Sequence, residues 1–161
     1  ENRVQQMKKD LDALYVILPF EKEFFEEKHN FPVEFVGHPL LDWAMERKKS
    51  KNFNAKNNLS SKKPLIALLP GSRRQEIKKM LPIFIEVAEC YPQYEFVIAG
   101  APGIDPNWYE SFLKSKLVKV VYNQTHDLLM HVKAALVSSG TATLETALFN
   151  VPQVVCYRSS F

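Results

Sequence analysis

The chain has 161 residues, 46% of them hydrophobic and 24% charged, a balance that fits a globular chain with one buried core of ordinary domain size. Its formal net charge of +3, with the two signs interspersed, speaks against a nucleic-acid partner and leaves room for a local positive site that takes a small anion. No apolar run approaches the length that spans a bilayer, and the first residues lack a signal-peptide pattern, although a chain of this kind can lie against a membrane surface.

The elements read in order as follows. Charged, helix-compatible sequence opens the chain. "ALYVILPF" (Ala13 to Phe20) is a short apolar run ended by a proline, the pattern of a strand buried on both faces. "EKEFFEEKHN" supplies a short helix with acidic residues near its start, and "PVEFVGHPLLDWAM" carries a strand over Val33 to Val36, halted by Gly37-His38-Pro39. Residues 47–63, rich in Lys, Asn and Ser with almost nothing to bury, read as a basic polar loop or linker; a solvated connection and a surface drawn to anionic lipid headgroups are both open.

A regular alternation follows. Strands are expected at Leu65 to Pro70, Tyr94 to Gly100, "VKVVYN", "AALVSSG" and "QVVCYR", each separated from the next by a helical segment. In the first of these helices Ile77, Leu81, Phe84 and Ala88 fall near one face, and Pro82 predicts either a main helix starting there or a kink. Strands alternating with helices favour a parallel, doubly wound α/β domain. Cys90 and Cys156 match neither a metal pair nor a redox motif and are expected as buried thiols of a reducing compartment. The chain stops just after its last strand, with nothing to cover it, so a piece of a longer protein is expected.

In an open parallel sheet a ligand meets helix N-termini at the carboxyl ends of the strands, where this sequence places its polar, glycine-containing breaks. "LLPGSRRQEI" fits neither GxGxxG nor GxxxxGK[ST]. Gly71 lets the chain turn, Ser72 can cap the next helix or donate to a phosphate, and Arg73 brings a planar fork of donors suited to phosphate oxygens; a plain capped helix with Arg73 and Arg74 solvated is the equal alternative. "SSGTATLETAL" packs Ser138, Ser139, Gly140, Thr141 and Thr143 into a turn suited to close approach by diphosphate oxygens. Glu145, one turn after Thr141, can accept two hydrogen bonds from a vicinal diol such as a ribose, or can belong to a helix-start pattern. His38 can donate to a phosphate or sugar hydroxyl, act as acid or base, or serve as a bonded turn histidine. His126 and His131 make no ligand pair by spacing, and no metal or other cofactor is assigned.

Taken together, "VILPFEKEFF", "PVEFVGHPLLD", "LLPGSRRQEI" and "SSGTATLETAL" with "VPQVVCYR" closely resemble the lipid-A-disaccharide synthase family of inverting GT-B glycosyltransferases. The resemblance implies the C-terminal half of a GT-B enzyme, a Rossmann-like parallel sheet flanked by helices. Residues 1–35 would end the N-terminal acceptor-side domain, 36–46 would connect the domains, and 64–161 would be the UDP-sugar-binding domain, incomplete at its C-terminus. It further implies transfer from UDP-2,3-diacylglucosamine to 2,3-diacylglucosamine 1-phosphate with release of UDP, at the cytoplasmic face of the inner membrane, by a peripheral protein that forms a homodimer at full length. By position, Gly37, His38, Gly71, Ser72, Arg73, Glu76, Ser139, Gly140, Thr141, Ala142, Thr143 and Glu145 would contact UDP, with Arg73 stabilising the leaving group, His38 a second catalytic candidate and the general base outside this chain. Another UDP-sugar enzyme, such as a UDP-N-acetylglucosamine epimerase, and a non-enzymatic nucleotide-binding module are the alternatives; "GHPLLD" with "LLPGSRRQEI" favours the first reading.

Overall fold

A computed structural model describes residues 2–46, 48–113 and 117–158. The chain divides into two compact units, Glu1–Arg47 and Lys48–Phe161.

The first unit contains α1 (Asn2–Asp10), β1 (Tyr15–Val16), α2 (Pro19–His29), β2 (Glu34–Phe35) and α3 (Pro39–Glu46), with β1 and β2 paired in parallel. Proline at the first position of α2 gives up no helical hydrogen bond, and Glu21 reaches back to accept from the Leu18 and Ile17 N–H groups at 2.8 and 3.1 Å. Asn30 ends the helix at φ 49°, a left-handed conformation that Asn tolerates. The expectation of a strand buried on both faces is corrected here. Val16 is buried, but Tyr15 is 61% exposed and Phe35 44%. Two strands of two residues offer too little surface to bury both sides.

The second unit contains α4 (Phe53–Lys56), β3 (Leu65–Leu69), α5 (Arg74–Cys90), β4 (Glu95–Gly100), α6 (Pro106–Glu110), β5 (Val118–Tyr122), α7 (Thr125–Leu129), β6 (Ala134–Ser138), α8 (Thr141–Leu148) and β7 (Gln153–Cys156). Its five strands form one sheet in the order β5-β4-β3-β6-β7, every pair parallel. The chain winds outward from β3 to β5, returns to the far side of β3 at β6, and continues to β7. Along β3, Leu65, Ala67 and Leu69 enter one core cluster and Leu68 the other, which is why this strand reads as an unbroken apolar run. One cluster packs Phe53, Leu128 and Leu129 against the sheet; the other packs Ile77, Leu81, Phe84 and Tyr109.

Three expectations change. The polar stretch 47–63, apart from Arg47, which lies outside the described residues, is not a bare linker. It holds α4, and Phe53 and Leu59 are 2% and 7% exposed in the core. The Glu95 carboxylate accepts from the Ser60 N–H, and His131 stacks on Phe53 while bonding the Ser50 carbonyl. Two apolar side chains are enough to dock a stretch whose composition is otherwise polar. Next, α5 runs through Pro82 as one helix, so the main helix does not begin at the proline. The carbonyl that the proline leaves without a donor belongs to the exposed Lys78, where water can serve it, and burial of Ile77, Met80, Leu81, Phe84 and Ala88 outweighs the local cost of about 3 kcal/mol. Finally, Cys90 ends α5 at an exposed position and Cys156 on the edge strand is only half-buried, its thiol pushed up by that partial burial.

Tyr109 shows how tightly the α5 and α6 face is made. Its ring is fully buried, its phenol is pushed up by burial, and its hydroxyl oxygen accepts from the Ala101 N–H at 2.9 Å, just past the end of β4. Tyr109→Phe leaves that N–H unpaired and is expected to cost about 1–3 kcal/mol, read as a lower urea midpoint at unchanged slope.

Candidate functional site at the strand ends

The winding direction reverses between β3 and β6, so their carboxyl ends lie side by side, with Leu69 opposite Val137. In doubly wound sheets this reversal opens a crevice between the turns that leave the two strands. A cleft of about 200 Å³ is found here, lined by Glu76, Lys79, Ser138, Ser139, Tyr157 and Arg158 among others. The two turns singled out in the sequence, 70–73 and 138–141, therefore meet at one edge of the sheet.

Their helix starts are built in opposite ways. At α5, Arg73 occupies the N-cap position with no cap from its own side chain. Glu76, three residues on, swings back so that Oε2 accepts from the Ser72 and Arg73 N–H groups at 3.1 and 3.3 Å, while Oε1 takes the Arg73 guanidinium at 3.2 Å. A carboxylate of the protein thus occupies the place where a phosphate oxygen would sit, and Glu76 caps the helix where Ser72 was the candidate. This also explains Gly71. Its φ is +119°, and a Cβ there would stand 2.7 Å from both Cβ and Oε2 of Glu76. Arg73 itself is open, its side chain 83% exposed, whereas the Arg74 guanidinium lies over the Trp108 ring at 5.9 Å and is not simply solvated.

At α8 no side chain among the described residues caps the start. Gly140 has an extended φ of 161°, and a Cβ there would meet nothing within 4 Å among the described residues. Neither conformation nor crowding demands glycine at this turn, so its missing side chain leaves open space beside the first N–H groups of the helix, those of Thr141 and Ala142. The Ser139 N–H is spent on the Cys156 carbonyl at 2.8 Å, and the Thr143 hydroxyl donates to the Gly140 carbonyl at 2.7 Å. An anion at this turn would meet backbone donors of 140–142, with Ser139 and Thr143 holding the turn's shape.

Glu145 follows on α8, with its side chain 29% exposed. The structure sets the His126 ring beside it, Nε2 to Oε2 at 3.3 Å. Gly37 and His38 belong to the first unit. Gly37 has φ +76°, a left-handed conformation that favours glycine, and His38 Nδ1 accepts from the Leu40 N–H at 3.2 Å. His38 therefore serves as a bonded turn histidine at the start of α3, with Nε2 its remaining polar atom.

Sequence reading missed four residues of the second unit. Lys79 lies one turn beyond Glu76 on α5, a spacing of three that would have found it once Glu76 was placed. Tyr157 and Arg158 follow β7, and their presence in the cleft depends on sheet order. His126 has no local signal. A larger cavity of about 750 Å³, lined by Lys49, Lys51, Asn54 and His131 among others, lies at the opposite edge, where α7 ends before β6, away from the strand ends.

Comparison with known proteins shows the family. Residues 1–161 match the family model described as lipid-A-disaccharide synthetase. The chain is 34% identical over 170 residues to lipid-A-disaccharide synthase of Francisella philomiragia subsp. philomiragia, covering 99% of this chain and 44% of that protein. It is 37% identical over 161 residues to the Coxiella burnetii (strain Dugway 5J108-111) protein of the same description, covering 97% and 42%. It thus spans less than half the length of these relatives. Among solved structures, the glycosyltransferase SnogD from Streptomyces nogalater overlaps 63% of this chain and 27% of its own at 31% identity and a TM-score of 0.46; the fold description rests on the sheet itself. The chain belongs to the lipid-A-disaccharide synthase family.

Proposed function

We propose that residues 64–161 are the Rossmann-like, UDP-sugar-binding part of the C-terminal half of a GT-B glycosyltransferase, and that the whole protein is a lipid-A-disaccharide synthase. In that reading it transfers 2,3-diacylglucosamine from its UDP derivative to 2,3-diacylglucosamine 1-phosphate with inversion, as a peripheral homodimer at the cytoplasmic face of the inner membrane. The observation that carries the reading is the pair of turns at the β3 and β6 ends, one of them opening an uncapped helix start beside a glycine that the fold does not require.

The diphosphate would lie against the α8 start, where backbone N–H groups and the helix dipole favour negative charge. Arg73, held by Glu76 but otherwise exposed, would add its fork of donors as charge grows on the departing UDP. Glu145 would accept hydrogen bonds from the ribose hydroxyls. The acceptor 6-hydroxyl would attack the anomeric carbon from the face opposite UDP, its proton taken by a base outside residues 1–161.

Calorimetry on the full-length protein tests the ribose role. Glu145→Ala is expected to weaken UDP about 10- to 100-fold, the usual worth of hydrogen bonds to a charged group, and to leave pyrophosphate binding unchanged. Equal losses for the two ligands reject it. For the substrate, transfer from acylated but not from non-acylated UDP-glucosamine is the expected result, and preference for the non-acylated sugar would assign the protein to another UDP-sugar reaction.

A further inference from the structure

We propose that His126 is a positioning residue for nucleotide recognition: it fixes the Glu145 carboxylate in the orientation that discriminates ribose from deoxyribose. This rests on the reading of Glu145 as the ribose acid and goes beyond it, because His126 comes from a different element with no local motif to mark it.

The contact joins two helices. His126 is the second residue of α7, after the end of β5, and Glu145 lies in α8, after the end of β6. Nε2 stands 3.3 Å from Oε2. An ionised carboxylate only accepts, so the proton of that bond belongs to Nε2. The imidazole is in turn stacked on Phe149, with ring centroids 5.5 Å apart and planes at 23°. Phe149 is the C-cap of α8, one turn after Glu145, whose carbonyl accepts from its N–H at 3.3 Å, and it packs against the core cluster of this sheet face. A chain of contacts therefore runs from the core through Phe149 and His126 to one carboxylate oxygen, and among the described residues Oε1 and the outer lone pairs of Oε2 are left for a ligand.

Such support changes affinity through order. A glutamate on a partly exposed helix face moves through several rotamers, and a ligand that needs one of them bears the ordering cost on binding. Held by His126 on one oxygen, the carboxylate meets a vicinal diol already oriented. The benefit goes to ligands with both ribose hydroxyls and is largely lost on those without the 2′-hydroxyl.

The test measures UDP and 2′-deoxyuridine diphosphate binding to the full-length protein by calorimetry. The unaltered protein is expected to favour UDP by about tenfold or more, and Glu145→Ala to abolish the preference. His126→Ala is expected to reduce the preference to about threefold or less with deoxy-ligand affinity unchanged, a result that misfolding would not produce, and His126→Gln, which keeps an N–H donor on a side chain of similar reach, to restore most of it. If His126→Ala leaves the preference intact, or weakens both ligands equally, the positioning role is overturned while the Glu145 reading stands. If Glu145→Ala leaves the preference intact, the ribose reading falls and this inference with it.

Discussion

If the proposed transfer holds, replacing Arg73 with alanine in the full-length protein is expected to lower kcat by about 10²–10³, the usual consequence of removing one donor aimed at charge that develops in the transition state, with a smaller change in donor KM. The folded state gives little reason for any other large effect. The Arg73–Glu76 pair is exposed on the arginine side, and exposed pairs contribute on the order of 0–1 kcal/mol to stability. The two backbone bonds that Glu76 accepts do not involve the Arg73 side chain, so the cap of α5 survives the substitution. Arg74→Ala is the matched control. It removes the neighbouring cation, but that cation rests over Trp108 and is expected to change kcat less than twofold while costing about 0.5–1 kcal/mol of stability. Steady-state kinetics in which Arg73→Ala and Arg74→Ala are equally impaired would remove Arg73 from the leaving-group role.

Gly71→Ala carries the second large effect, and it acts on the fold. The residue sits at φ +119°, where an L side chain is strained at about 1–3 kcal/mol, and the new methyl would collide with Glu76 at 2.7 Å from both Cβ and Oε2. Relief requires the Glu76 carboxylate to leave the Ser72 and Arg73 N–H groups, with loss of a helix cap worth about 1 kcal/mol, and a backbone shift at the start of α5 to free Glu76 Cβ, which no side-chain rotation can move. A total of about 2–4 kcal/mol is expected, seen as a lowered midpoint in chemical denaturation, together with weaker use of Arg73 because its Glu76 anchor has moved. Gly140→Ala gives the contrasting result. With an extended φ and nothing within 4 Å of a new Cβ, it is expected to leave the midpoint within about 0.5 kcal/mol of the parent and to weaken UDP binding by filling the space at the start of α8. A denaturation midpoint for Gly71→Ala that matches Gly140→Ala would contradict the capping account.

Glu76 bears on how such motifs are read. "GSRRQEI" left two readings open, a phosphate loop and a capped helix, and the geometry supplies the capped helix outright, with the protein's own carboxylate on the amides. In that turn the Arg73 side chain stays exposed, while at the α8 turn across the reversal no described side chain caps the first N–H groups. The two turns thus differ in what they offer an anion. One presents a side-chain cation fixed by a carboxylate, the other N–H groups that no described side chain caps.

Much of this was legible from residues alone because the relevant physics is local. A strand covered on both faces must be apolar throughout, so Leu65 to Leu69 and Glu95 to Gly100 announce themselves within a residue or two of their limits, and a helix with one buried face must repeat near 3.6, so Ile77, Leu81, Phe84 and Ala88 were identifiable as core. Breaks that need glycine or small donors are local as well, which is why both turns and the family resemblance could be read directly. Other features depend on neighbours distant in sequence. Phe53 and Leu59 are isolated apolar residues in polar text, and only the sheet that they cover makes them core. The adjacency of the β3 and β6 ends follows from strand order, and the pairing of His126 with Glu145 follows from two helices lying on the same face of that sheet. Periodicity reports what each segment buries but not against which partner. The tertiary structure decided the partners because hydrogen-bond ladders and packing across the sheet, rather than preferences within a segment, determine which strand ends stand together.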